Sequence, residues 1–169
     1  MLRCTAMKSL LIVYHSMTGG TQQMAQAAAR AAQGQDGVAV RLLHAPEAGP
    51  DDLLDASGYL FAAPENLAAI AGMMKDFFDR CYYPVLGELN GRPYAAMVCA
   101  GSDGSSALRQ MERIALGWRL KAVAPGLIVN THAQTPEQIL TAKVIGAEDL
   151  KRCAEVGEVL AVGMAAGVF

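Results

Sequence analysis

Three hydroxyls and two adjacent glycines stand together at Ser16, Thr18, Gly19, Gly20 and Thr21, inside the stretch "VYHSMTGGTQQMA". They follow a short apolar run, Ser9–Tyr14, and lead into an Ala-rich stretch, Gly20–Gln33. Hydroxyls and unpaired backbone amides bind phosphate oxygens, and glycines let the chain turn sharply and approach a ligand closely. A helix starting at this corner adds roughly half a positive charge at its first turn. The loop itself holds no Lys or Arg, so the expected phosphate site is uncharged. The competing reading of the same residues is a plain turn.

The elements that must position this corner can be read from periodicity. Ser9–Tyr14 is a short continuous apolar run, as expected of a strand buried on both faces, and Val38–Leu43, Tyr59–Ala63, Tyr94–Ala100 and Val123–Val129 read as the second to fifth strands. Between them, helices are expected at Gly20–Gln33, through Ile70, Met73, Met74, Phe77, Phe78 and Cys81, and through Leu108, Met111, Ala115 and Trp118. A short helical turn is expected at Pro50–Ala56 and a capping box at Thr135–Gln138, and a final helix from about Glu148. Strands alternating with helices predict an α/β fold with a parallel sheet and right-handed crossovers. Arg41 in the second strand and Pro125 in the fifth put those two at the sheet edges. The result is a five-stranded parallel sheet in the flavodoxin-like order 2-1-3-4-5, a three-layer sandwich whose ligands bind beyond the carboxyl ends of strands one and three.

Composition narrows the function. The chain has 169 residues, which suits a single domain (1–169), with 1–6 as a short leader. A net charge of −2 gives no basic excess for nucleic acid. The N-terminal apolar run, Leu10–Val13, is too short for a membrane span or a signal-peptide core. Cysteines at positions 4, 81, 99 and 153 have no CxxC spacing and form no metal-ligand pattern with His15, His44 and His132. Buried free thiols in a reducing, cytoplasmic setting are expected instead, with no metal. The apolar C-terminal run Val159–Phe169 hints at a homodimer or homotetramer.

Other phosphate devices do not match. There is no Gly-Lys-Ser/Thr of a Walker loop, and no two of the 17 glycines have the two-apart spacing of a dinucleotide fingerprint. Ser16-Met17-Thr18-Gly19-Gly20-Thr21 does resemble the flavodoxin pattern of hydroxyl, any residue, Thr, Gly, any residue, Thr, which in that family cradles the phosphate of FMN. "APEN" (Ala63–Asn66) is similar to the Pro-Glu loop of NAD(P)H-dependent FMN reductases. "GMMKDFFDR" (Gly72–Arg80) resembles their Gly-x-x-Lys-x-x-x-Asp helix at Gly72, Lys75 and Asp79. "CAGSDGSS" (Cys99–Ser106) falls where the family's next flavin-ring loop lies.

The resemblance implies a flavodoxin-like FMN-binding protein. The implied cofactor-binding residues are Ser16, Met17, Thr18, Gly19, Gly20 and Thr21 for the phosphate, with Pro64, Glu65, Asn66, Leu67, Ala100, Gly101, Ser102, Asp103 and Gly104 for the ring. Electron-carrier flavodoxins are strongly acidic and flank the flavin with aromatics. Here the charge is near zero and neither ring loop has an aromatic. That favours an oxidoreductase moving a hydride from NADPH or NADH through the flavin to a quinone or another small acceptor. A one-electron carrier and a flavin-free partner-binding domain are the alternatives. The flavin carries the chemistry, so no catalytic side chain is expected. His132, after strand five, is a candidate for substrate contact, and His15 for a hydrogen bond to the phosphate. Tyr82, Tyr83 and Trp118 could reach the ring but are expected to be structural.

Overall fold

The computed structural model describes residues 7–169; Cys4 and the expected leader lie outside the described residues. Strand β1 (Lys8–Tyr14) is the centre of the ligand edge, with β2 (Val38–His44) on one side and β3 (Gly58–Asn66) on the other, both parallel to it. Strand β5 (Pro93–Ala100) pairs parallel with β3, in register from Tyr59 opposite Tyr94 to Pro64 opposite Cys99. This register brings His15, Pro64, Gly101 and the chain after Asn130 out along one edge of the sheet.

The parallel path follows the expected order, but the strand count does not. The expected fifth strand is two short pieces, β6 (Lys121–Ala122) and β7 (Leu127–Asn130), both parallel to β5. Val123 still donates to the Tyr94 carbonyl at 3.1 Å; the break then falls at Ala124–Gly126, around Pro125, which has no N–H for the ladder. The seventh strand is β4 (Ala69–Ile70), which folds back antiparallel on the end of β3. Its turn holds Leu67 and Ala68 at φ +51° and +63°, left-handed positions that glycine or asparagine usually fill.

Alternation along the strands divides the core. Leu11, Val13, Tyr59, Phe61 and Val98 face α2 (Pro50–Asp55), α3 (Gly72–Tyr82) and α4 (Ser105–Gly117), where Phe61 meets Phe78 and Trp118 edge-on. Leu10, Ile12, Leu60 and Met97 face α1 (Gly20–Gln33) and α6 (Ala147–Ala166). The Ala-rich face of α1 exists for close approach to α6: a Cβ on Gly157 would lie 2.1 Å from the Ala28 carbonyl oxygen. This packing accounts for part of the apolar C-terminal run. Leu160, Ala161 and Met164 are buried, while Val159, Val162 and Val168 face out. No helix among the described residues is long and apolar enough to cross a membrane.

Between β7 and α6 the chain forms a strap, residues 131–146, over the ligand edge. It contains α5 (Pro136–Leu140), whose capping box is the expected one: Thr135 Oγ1 accepts from the Gln138 amide and the Gln138 side chain accepts from the Thr135 amide, both at 3.2 Å.

Candidate functional site

After β1 the ladder runs one residue further, His15 N–H donating to the Ala62 carbonyl at 3.1 Å. The chain then turns. Ser16 Oγ accepts from the Gly19 amide at 3.1 Å, which leaves the Ser16 hydroxyl proton free to donate. Gly19 sits at φ +92°, and α1 begins at the next residue. The first amides of that helix have no intrahelical acceptor. Gly20 is held against the end of β5, where a Cβ would meet the Cys99 sulfur at 2.8 Å.

The result is a cup of about 160 Å³ lined by Ser16, Thr18, Gly20, Thr21, Pro64 and Cys99 among others. Thr21 is 1% exposed, and among the described residues its Oγ1 has no oxygen or nitrogen partner, only the Cys99 thiol beside it. A buried hydroxyl left alone costs about 1–3 kcal/mol. Together with free helix amides, that hydroxyl makes the cup suited to an oxyanion. A phosphate ester fits the donor set of this site.

The cup opens into a cleft of about 630 Å³, a usual size for a small-molecule site. Pro64, Glu65, Asn66, Leu67, Ala100, Gly101 and Ser102 line it, so the first ring loop and most of the second come together. The other two residues of the second loop are turned into the start of α4. Asp103 accepts from the Ser105 hydroxyl at 2.8 Å, and the Gly104 amide donates to Glu65 Oε1 at 3.0 Å. Glu65 Oε2 also accepts from the Ala107 amide at 3.2 Å, so this carboxylate ties one ring loop to the other.

No aromatic side chain lines the cup or the cleft among the described residues. Trp118 is buried against Phe61 and Phe78, and Tyr82 and Tyr83 lie together at the end of α3. The Lys75–Asp79 pair, 2.7 Å apart, is exposed on α3 and does not line the cleft.

His132 is exposed at φ +57° and lines a separate cleft of about 470 Å³ on the other side of the strap. His15 is buried, with Nδ1 3.1 Å from His44 Nε2 and the two rings stacked. Burial, and secondly His44, push the His15 pKa below its usual value. Among the described residues, no cluster of three or more His, Cys, Asp or Glu is placed to hold a metal ion. Cys81, Cys99 and Cys153 are free and buried. Burial raises all three thiols, Cys81 to about 11 and Cys153 to about 12.

Sequence reasoning missed the strap's part in the site. Thr131, Ala133, Gln134, Ile139 and Lys143 line the cleft, and Ile139 also lines the cup. The loop has no cation of its own, but Lys143 is carried to it from the far end of the chain. The Lys143 amide donates to the Thr18 carbonyl at 2.8 Å. Its ammonium is spent inside the strap, on the carbonyls of Gln138, Ile139 and Thr141. The one local signal was the Thr135–Gln138 capping box, which announced a helix just beyond the last strand.

Comparison with known proteins places this geometry. Residues 45–135 match the model of the family described as NADPH-dependent FMN reductase. That span includes both ring loops and excludes the phosphate loop. A flavodoxin from Aquifex aeolicus is 35% identical over 98 residues, covering 58% of this chain and 53% of its own length. An NAD(P)H dehydrogenase (quinone) from Acidithiobacillus ferrooxidans is 33% identical over 94 residues, covering 44% of this chain and 47% of its own. The chain thus spans about half the length of these relatives. Among solved structures, a flavodoxin from the domain Archaea superposes with a TM-score of 0.74 at 18% identity, over 91% of this chain and 96% of that one, which shows the shared fold.

Proposed function

Because the chain belongs to the NADPH-dependent FMN reductase family, we propose that residues 7–169 form one FMN-binding domain that moves a hydride from NADPH or NADH to a quinone or another small acceptor. The observation that carries this reading is the buried Thr21 Oγ1, with only the Cys99 thiol beside it, lining an uncharged cup that opens into the larger cleft. Held by Ser16–Thr21 and the two ring loops, FMN would supply the two-electron redox chemistry.

The chain's own residues bind and orient. Ser16, Thr18 and Thr21 offer hydroxyls to the phosphate, and the first amides of α1 add theirs along the helix dipole. Pro64–Leu67 and Ala100–Ser102 form the two walls around the ring. The absence of an aromatic wall among the residues lining the cleft leaves room for a nicotinamide or acceptor to stack on the ring. Three buried free thiols are consistent with a reducing, cytoplasmic compartment.

A visible spectrum tests this directly. Purified protein reconstituted with FMN should bleach near 450 nm on adding NADPH or NADH and recover on adding a quinone. Bound FMN that neither nucleotide bleaches would remove the enzyme reading. It would favour the second one, a one-electron carrier, to which the similarity with the Aquifex aeolicus flavodoxin points.

A further inference from the structure

We infer that Gln23 is a positioning residue that latches the strap onto the phosphate loop and governs how long a phosphorylated flavin stays bound. The inference rests on the FMN-binding reading above. Gln23 closes the first turn of α1 and lines neither the cup nor the cleft. Its carboxamide nevertheless makes three hydrogen bonds. Nε2 donates to the Gly19 carbonyl at 2.9 Å and to the Lys143 carbonyl at 2.7 Å, while Oε1 accepts from the Ile145 amide at 3.0 Å. Two of these three bonds join residues more than a hundred positions apart.

The strap is anchored on both sides of the site. At its start, the Thr131 amide donates to the Ala100 carbonyl at 2.8 Å, and Gln134 Nε2 donates to the Gly101 carbonyl at 2.8 Å. At its end, the Lys143 amide holds the Thr18 carbonyl at 2.8 Å, and Gln23 holds Lys143 and Ile145. Lys143 Nζ stiffens the segment between by binding three carbonyls near the end of α5. What the strap carries over the site is Ile139, 52% exposed and lining both cavities, with Leu140 beside it at the cup.

A ligand with its phosphate in the cup and its ring in the cleft lies against Ile139 in both. Movement of the strap away from the phosphate loop widens its way out, and Gln23 fastens one to the other. Only an amide of this length serves. A carboxylate cannot donate to two carbonyls, and an apolar chain bonds to none of the three groups.

The test uses Gln23→Met, which keeps length and flexibility, and Gln23→Glu, which keeps the acceptor and loses both donors. In ligand-free protein, amide hydrogen exchange at Lys143 should quicken in both variants, and at Ile145 chiefly in Gln23→Met, while β1 and β3 keep their protection. FMN dissociation by stopped-flow fluorescence should be about tenfold faster than in wild type, the scale of one net hydrogen bond. Riboflavin, which has no phosphate to hold in the cup and meets the strap only in the cleft, should be accelerated less. Unchanged exchange at Lys143 and Ile145 would refute the latch. Quickened exchange with unchanged FMN dissociation would refute its control of retention, as would equal acceleration for FMN and riboflavin. Wild-type protein that takes up no FMN overturns the functional reading itself and the retention claim with it, an outcome distinct from normal wild-type binding with unaltered variants.

Discussion

Glu65 and Gly104 are joined at 3.0 Å, carboxylate to backbone amide, and the same carboxylate reaches the Ala107 amide at 3.2 Å. One side chain from the end of β3 thus supplies the acceptors that the start of α4 lacks within itself. The negative charge also faces the positive end of that helix. The FMN reductase-like Pro-Glu loop therefore contains a glutamate that organises the cleft from behind. Glu65→Ala should lower unfolding stability by about 1–2 kcal/mol in urea titrations, the scale of a lost helix cap. Glu65→Gln should lose less, because it keeps one acceptor while turning a donor toward the other amide. Equal stability of all three proteins would show that the contact contributes nothing.

Thr21→Val separates a phosphate ligand from a packing residue by the sign of two effects. In ligand-free protein the buried hydroxyl has only the weakly bonding Cys99 thiol beside it, so removing it at constant shape should leave stability unchanged or raise it by up to about 1 kcal/mol. FMN affinity should fall by about 1–3 kcal/mol, because a hydrogen bond to a charged oxygen is lost. Isothermal titration and thermal unfolding on the same preparations give both numbers. A loss of stability together with unchanged affinity would make Thr21 an ordinary core residue and empty the cup of its function.

What was legible in the sequence was local. Ser9–Tyr14 is apolar at successive positions because both its faces are covered, so it reads as a central strand without knowledge of its neighbours. The phosphate corner is visible because its hydroxyls, glycines and helix start lie within six consecutive residues. Arg41 and Pro125 marked the edges because one carries a charge and the other lacks a donor. The β3–β4 hairpin was hidden because Leu67 and Ala68 occupy left-handed turn positions without glycine or asparagine to signal them. The strap was hidden for another reason: Gln23 and Lys143 meet across most of the chain, and no periodicity records such a pairing. The site is thus sequence-legible where backbone geometry makes it, and opaque where tertiary packing delivers a side chain.

His15 gives the protein an acid-side weakness of predictable sign. It is buried and stacked on His44, so its folded pKa lies below the unfolded value near 6.5. Below that value the unfolded chain binds more protons than the folded one at this residue, so stability falls as pH drops from about 6.5 toward the folded pKa. Above it the residue contributes no slope. Burial is the larger cause, and the His44 ring, its Nε2 3.1 Å from His15 Nδ1, is the second. The slope should stay under the one-proton ceiling of about 1.4 kcal/mol per pH unit. Urea midpoints measured between pH 7.5 and 5 should decline in the wild type and flatten in His15→Gln. A flat wild-type profile would mean that the folded state accepts the His15 proton as readily as the unfolded chain does.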